Sequence, residues 1–486
     1  MSVLSEFNGL DLVVNSLIVL ALIVASIAMW HALLYKRDPR AAMGWISVCL
    51  LFPIIGPALY FFFGINRVHH RAQLWKDGGY QRRFVDFERG EEPLADVPCN
   101  NGAQGAFAPL IRATYALTGL PLLAGNRVGV LCNGEEAFPA MLEAIAKATN
   151  SVDLCTYIFE NNSSGHAFTE GLCAAASRGV TVRVIVDAMG ELYSWPRISR
   201  RLRRRGVRIE RFNPPRFIAQ VPGLNMRNHR KLLVVDAQIA FTGGMNIGDR
   251  HLVEQAGTRH PTADTHFRLE GPIVAQLAMS FTQTWLLATG EQVKTPVKEQ
   301  PVCGDSRCRV IVDGPDFNLD KLSNVLLAAI AQATRSIRIM TPYFLPSREM
   351  LAALQTAALR GVAVTLLLPE KSNLIYVHWA MRNMLWEMLY YNITVAYQPP
   401  PFNHSKLFMV DGEYVLIGSA NLDPRSLRLN YELSVEIYDR AMAGKLEGVF
   451  DEGLARSSQV SLAELDSRSL AVRSRDALCW LFSPYL

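Results

Sequence analysis

The sequence predicts an α/β fold built by duplication and carried behind a hairpin of two apolar helices. Three observations predict it: a helix–strand–helix–strand order that recurs in two halves, two charge-free stretches near the N-terminus, and a triplet, His-x-Lys-x4-Asp, written twice. Length agrees, since 486 residues exceed what one core covers and two or three structural units are expected. Half of the chain is hydrophobic and its mean hydropathy is +0.12, high for a wholly soluble enzyme.

Much of that excess lies at the N-terminus. Leu12 to Tyr35 and Ala41 to Asn66 carry no charged residue, and each is long enough to cross a bilayer as a helix. A secretory signal would need a basic start, whereas this start carries Glu6 and Asp11, and a second apolar span follows at once, so a retained hairpin anchor over 1–66 is expected. Pro53, Gly56 and Pro57 are able to kink the second span. Lys36, Arg37 and Arg40 in the connection are matched by Arg67, Arg71 and Lys76 beyond it, so the positive-inside rule gives no orientation. A hairpin does put both its ends on one side of the membrane. Residues 67–125 begin with a polar run holding Gly78-Gly79 and an acidic stretch from Glu88 to Glu92, the composition of a linker.

The repeat follows. Ala140 to Ala148 reads as a helix, Ser151 to Phe159 as a strand, Gly171 to Ser177 as a helix and Arg178 to Asp187 as a strand. The order returns with a helix at Leu326 to Ala333, a strand at Ser336 to Phe344, a helix at Ala352 to Leu359 and a strand at Arg360 to Pro369. Two domains, 126–295 and 306–486, each layered around a mixed sheet, are expected.

The triplets fall on strand-like segments, Lys231 to Asp236 and Lys406 to Asp411. Side chains alternate along a strand, so His229 and Lys231 share a face, as do His404 and Lys406, and each pair offers two donors to one anion. Each triplet is followed by a small-residue loop, Gly243-Gly-Met-Asn246 or Gly418-Ser-Ala-Asn421, where backbone N–H groups and Asn246 or Asn421 are able to bind the same oxygens. A lone triplet arises by chance in about one chain in fifty. Two, each with its loop inside a repeated frame, mark a site for a phosphate-sized anion. The lysines and asparagines neutralise the anion, and histidine, with a reference pKa of about 6.5, suits both nucleophile and acid/base.

These residues resemble the phospholipase D superfamily, and within it the bacterial cardiolipin synthases. Asn228 to Asp236, Phe241 to Gly248, Thr341 to Pro346, Gly418 to Asp423 and Arg425 to Glu432 carry the resemblance, as do Arg37 to Arg40, Gly44-Trp45, Pro53 to Pro57 and Phe482 to Leu486. It implies a duplicated phospholipase D-like α/β/α sandwich with mixed sheets behind a transmembrane hairpin in the bacterial inner membrane. It implies a phosphatidyltransferase that joins two phosphatidylglycerol molecules into cardiolipin and releases glycerol through a phosphohistidine. His229, Lys231, Asp236, His404, Lys406 and Asp411 form the implied catalytic set, with His229 as nucleophile and His404 as acid/base. Asp236 and Asp411 read best as buried partners that fix strand and loop. A downstream carboxylate orients each ring in the family, matching Glu432 in the second half and Asp264 in the first, although Thr262 stands where many relatives have Trp. No cofactor, metal or nucleic acid is implied; the partners are phosphatidylglycerol and an anionic phospholipid membrane.

Several features stay outside this core. His251, His260 and His266 are too irregularly spaced for a metal cluster and read as surface or loop histidines. Cys303 and Cys308 are close enough for a small disulfide loop, although free thiols fit the scattered eight cysteines better. The arginines from Arg197 to Arg211 suit either anionic lipid or a solvated helix face, and the apolar loop Phe212 to Met226 is placed to meet a membrane. Trp379, Trp386 and Leu389 form a stripe more typical of core. Alternative functions are a phospholipase D hydrolase, a transferase using another donor such as phosphatidylethanolamine, and a catalytically silent lipid-binding scaffold.

Overall fold

The computed structural model describes residues 2–36, 39–64, 105–214, 226–255, 257–293, 300–316 and 318–483. Most of the polar linker, residues 215–225 of the apolar loop and the last three residues lie outside the described residues, as do Arg37, Arg67, Arg71 and Lys76. Two compact units emerge, Met1–Gly78 and Gly79–Leu486.

In the first unit, α1 (Ser2–Tyr35) contains an apolar stretch, Val13–Tyr35, long enough to cross a membrane. The second apolar stretch is not one continuous helix. Its segment divides into α2 (Pro39–Leu51), α3 (Ile55–Leu59) and a π-turn at Tyr60–Gly64. Thirteen residues of α2 rise roughly 20 Å, short of the ~30 Å hydrocarbon layer. Pro53 explains the break, since it has no N–H to give and its ring crowds the preceding turn. The pieces pack through small residues, with Ala25, Ala32, Ala42 and Cys49 buried, and His31 Nδ1 meets the Tyr60 hydroxyl at 2.8 Å. Gly56 permits the contact, because a Cβ there would lie 2.5 Å from Val48 O.

The second unit opens with α4 (Ala108–Thr118). The first half then runs β1 (Leu123–Cys132), α5 (Asn133–Lys147), β2 (Ser151–Thr156), α6 (Ser163–Ser177), β3 (Thr181–Asp187), α7 (Ile198–Arg204), β4 (Arg208–Phe212), β5 (Leu232–Val235), β6 (Ile239–Gly243), β7 (Thr262–Ala263), β8 (Thr265–Glu270) and α8 (Ile273–Thr289). The second half answers with β9 (Ser306–Asp313), α9 (Lys321–Gln332), β10 (Ser336–Met340), α10 (Arg348–Leu359), β11 (Ala363–Pro369), α11 (Ile375–Leu389), β12 (Thr394–Gln398), β13 (Phe402–Asn403), β14 (Leu407–Val410), β15 (Tyr414–Gly418), α12 (Pro424–Arg428), β16 (Glu432–Tyr438) and α13 (Arg440–Ala455). The chain closes with β17 (Ser458–Gln459), α14 (Leu462–Asp466) and α15 (Leu470–Leu481).

The helices begin earlier than their apolar runs suggest, because polar first turns are capped: Asn162 Oδ1 accepts from Gly165 N, and Ser347 Oγ accepts from Met350 N. Fifteen strands form one sheet in the order β17-β12-β11-β10-β14-β15-β16-β9-β1-β8-β6-β5-β2-β3-β4. The order reads nearly alike from the β9–β1 junction in either direction. In each half three strands are parallel, β2-β3-β4 and β10-β11-β12, and the triplet strand pairs antiparallel with the first of them. Each half buries its own apolar cluster, around Leu154, Phe168, Leu172 and Phe241 in the first and around Ile339, Leu354, Leu366 and Phe408 in the second.

The stripe on α11 turns out otherwise than expected. Its buried face is Val377, Ala380, Met381, Met384, Leu385 and Met388, while Trp386 is exposed and Trp379 lies under the Arg475 guanidinium at 4.1 Å. Cys303 and Cys308 are free thiols.

Candidate active site

The site forms at the C-terminal ends of the parallel strands, where β5 and β14 begin. The segment before β5 leaves its own half and pairs with the other: Met226 N donates to Leu429 O, Tyr431 N to Arg227 O, and His229 N to Tyr431 O at 2.9 Å. The second copy does the reverse. β13 pairs in parallel with β7, and His404 N donates to Ala263 O at 2.7 Å. Glu432 follows Tyr431 and Asp264 follows Ala263, so these two bridges decide which carboxylate meets which ring.

The pairing is therefore exchanged between halves. His229 Nδ1 lies 3.0 Å from Glu432 Oε2, and His404 Nδ1 lies 2.9 Å from Asp264 Oδ2. With each Nδ1–H held by a carboxylate, each Nε2 is left for chemistry. Lys231 Nζ donates to His229 O at 2.6 Å, and Lys406 Nζ donates to His404 O. All four ring and amine groups are buried or nearly so.

Burial dominates the electrostatics. It lowers Lys231 to about 7 and Lys406 to about 8, with each ammonium also depressing its neighbours. It raises Asp264 to about 7 and holds His404 well below its ordinary value, so burial works against charge on either partner of this pair. Glu432 differs. Burial pushes it up, but the His229 ring, Lys231 and the Ser419 hydroxyl outweigh burial and hold it below the usual carboxylate range. Ser419 Oγ donates to Glu432 Oε2 at 2.5 Å. The matching position is Gly244, where a Cβ would stand 2.3 Å from Asp264 Oδ1, so no hydroxyl serves that carboxylate.

The loop amides are fixed close by. Asn246 Oδ1 accepts from Ile158 N at 3.1 Å, leaving its amide N–H groups as donors. Asn421 is buried, bonded to Asp423, and its Oδ1 has no partner among the described residues. Aromatic rings wall the histidines: Tyr157 stands edge-on to His229 at 5.3 Å with Lys231 Nζ 5.7 Å from its ring, and Tyr343 stands edge-on to His404 at 6.4 Å.

Asp236 and Asp411 are not brought to this edge. Each lies five residues beyond its lysine, roughly 16 Å away at ~3.3 Å per residue, at the opposite end of the strand. Asp236 accepts from Thr149 N and Oγ1, Asn150 N and Ser151 N. Asp411 accepts from Thr334 N and Oγ1, Arg335 N and Ser336 N. Both sit at positive φ, 52° and 54°, as the first residue of a turn. Their place in the catalytic set is thus corrected to bracing the turn that enters β2 or β10.

The nearby histidines also differ from expectation. His251 and His266 are buried, not on the surface, while His260 is exposed. His251 Nδ1 bonds Thr262 O at 3.1 Å and its Nε2 accepts from Asn246 N at 3.3 Å, so it seats the loop amide. Burial holds both rings near a pKa of about 3, and no cluster suited to a metal exists among the described residues. The residues missed from sequence are Ser419, Tyr157 and Tyr343. Ser419 had a visible signal, since it replaces the first repeat's Gly244 inside a quoted motif.

The chain is similar to known proteins along most of its length. The family model described as cardiolipin synthase, PLD-like domain matches residues 141–285 and 326–454, and the phospholipase D-nuclease N-terminal model matches 19–64. A cardiolipin synthase of Geobacillus sp. (strain WCH70) is 32% identical over 484 residues, 99% of this chain and 94% of that protein. The major cardiolipin synthase ClsA of Bacillus subtilis (strain 168) is 31% identical over 93% of this chain and 95% of its own. The crystal structure of phosphatidylserine synthase from Haemophilus influenzae superposes with a TM-score of 0.62 at 17% identity, covering 78% of this chain and all of that one, a likeness of fold.

Proposed function

The chain belongs to the cardiolipin synthase family of PLD-like proteins and is a phosphatidyltransferase that makes cardiolipin, and from that premise we propose its donor lipid, its reaction course and the part each residue plays. Both substrates are phosphatidylglycerol. His229 Nε2 attacks the phosphorus of the first, the bond to the departing glycerol oxygen breaks, and His404 gives that oxygen a proton. The phosphatidyl group is then held on His229. The terminal hydroxyl of the second phosphatidylglycerol gives its proton back to His404 and attacks phosphorus, the N–P bond breaks, and cardiolipin leaves. Lys231, Lys406, Asn246 and Asn421 hold the non-bridging oxygens.

The single observation that carries the order of duties is the unequal support of the two rings. Glu432, ionised and braced by Ser419, stabilises the positive charge that appears on His229 when it takes phosphorus. The Asp264–His404 pair, in which burial works against charge on both partners, shares a proton for His404 to give. Water is kept from the phosphoenzyme by the burial of all these groups, which favours transfer over hydrolysis.

We place the protein in the bacterial inner membrane as a multi-pass hairpin, with 67–125 linking the anchor to two PLD-like domains at 126–295 and 306–486. The packing of α1 on the broken second segment supports the hairpin. The test is incubation of the purified chain in detergent with phosphatidylglycerol labelled in its headgroup. Cardiolipin and free glycerol in equal amounts are expected; phosphatidic acid without cardiolipin would refute the transferase reading.

A further inference from the structure

Above the two histidines, equivalent connections leave the C-terminal ends of β3 and β11, and each presents large apolar side chains to solvent. After β3 these are Leu192, Tyr193 and Trp195; after β11 they are Ile375 and Tyr376, and all five are between 44% and 72% exposed. The segments correspond in sequence, Leu192-Tyr-Ser-Trp195 against Ile375-Tyr-Val-His-Trp379. Exposed aromatic and aliphatic side chains are common singly, but two matched clusters on the rim of one site are not explained by chance exposure.

Each cluster is one side chain removed from a catalytic ring. The Tyr193 ring lies 6.4 Å from Tyr157, which stands against His229. Asn373, two residues before Ile375, accepts from the Tyr343 hydroxyl at 2.6 Å, and Tyr343 stands against His404. The phenols of Tyr193 and Tyr376 both lie near enough to Tyr343 to help keep it protonated. The clusters thus face each other as two lips across the entrance.

Charge says what covers them. Half of the basic run meets carboxylates within the fold: Arg201 and Arg205 share Glu170, Arg208 meets Glu291, and Arg211 meets Glu191. Arg197 and Arg200 instead lie over the Trp195 ring, 6.0 and 5.5 Å from its centre, and neither has an acidic partner among the described residues. Indole with guanidinium cations at the edge of an apolar patch is the composition that settles into an anionic lipid headgroup layer. A diacyl lipid must also bring its phosphate to buried histidines while its chains stay in hydrocarbon.

We infer that Leu192, Tyr193, Trp195, Ile375 and Tyr376 form a two-sided lip that enters the anionic surface of a phospholipid bilayer and admits the lipid headgroup between its sides. The inference rests on the lipid reading of the site given above. It is tested with the full chain in vesicles, carrying the photo-crosslinking residue p-benzoylphenylalanine at Leu192 or Ile375. Leu359, exposed at the opposite end of the sheet, is the control position. In phosphatidylglycerol vesicles, lipid adducts at Leu192 and Ile375 are expected about tenfold above those at Leu359, and fewer at Leu192 in phosphatidylcholine, where the arginines lose their partners. Adduct yields at the control level would overturn the lip, as would crosslinks to a second copy of the chain in their place. Cardiolipin is measured with the unsubstituted chain in the same vesicles. Adducts without cardiolipin leave the lip standing and sink the chemistry; cardiolipin without adducts does the opposite.

Discussion

Replacing Asp264 by Asn and Glu432 by Gln, one at a time, separates the two histidines. Each change keeps the shape of a buried group that lies 2.9 or 3.0 Å from an imidazole Nδ1 and removes its ability to carry charge. A hydrogen bond to a charged partner in such a setting contributes about 1.5–3 kcal/mol, which is a loss of about ten- to 150-fold in turnover. Both variants should fall in that range with phosphatidylglycerol. They should differ with a phosphatidyl p-nitrophenol donor, whose leaving group departs without a proton. Because Asp264 serves His404, the Asp264→Asn variant should recover single-turnover release of p-nitrophenol to within about threefold of the unsubstituted enzyme, while the second transfer, which needs His404 as base, stays slow. Glu432→Gln should not, and it should also form less acid-quenched phosphohistidine in a single turnover. Equal recovery of both variants, or recovery of Glu432→Gln alone, would refute the assignment of His404 as the acid through the exchanged pair.

Other outcomes follow from the same geometry. Ser419→Gly removes the 2.5 Å bond to Glu432 and should cost about 1 kcal/mol, a several-fold slower phosphoenzyme formation in rapid-quench experiments. Gly244→Ala forces a methyl group to within 2.3 Å of Asp264 Oδ1 and should slow transfer at least about tenfold, with the p-nitrophenyl donor restoring the first step alone. Asp411→Asn should lower the melting temperature, costing about 2–4 kcal/mol as four donors lose their acceptor charge, while turnover per folded molecule stays near normal. In pH profiles, kcat/KM should fall as pH rises through about 7 to 8, because Lys231 and Lys406 lose the protons that hold the phosphate. The alkaline limb of kcat should lie higher, since bound phosphodiester charge stabilises both ammonium groups.

The duplicated frame was legible because its strands are short apolar runs rich in β-branched residues and its histidines and lysines sit two apart. That spacing survives any detail of packing. What the spacing does not carry is which half each ring leans on. Glu432 follows His404 by 28 positions and reads as its neighbour, yet the parallel bridge from Asn228 to Tyr431 hands it to His229. Asp236 and Asp411 were legible as parts of the frame: a five-residue interval along a strand carries each away from its lysine to the far end, where it braces a turn. The burial of His251 and His266 was hidden because irregular spacing says nothing about tertiary cover, and the second apolar stretch, in which Pro53 marked a kink, divides there into short helices.

The exchange of carboxylates also makes the two halves interdependent. A half carrying its own histidine, lysine and amide lacks the carboxylate that orients its ring, which the other half lends. Neither half is therefore a complete unit, and the clasp between them is part of the site. Gly244 and Ser419 are where the two copies part company: one small difference in neighbouring side chains gives a nearly symmetrical pair of rings two unlike ends.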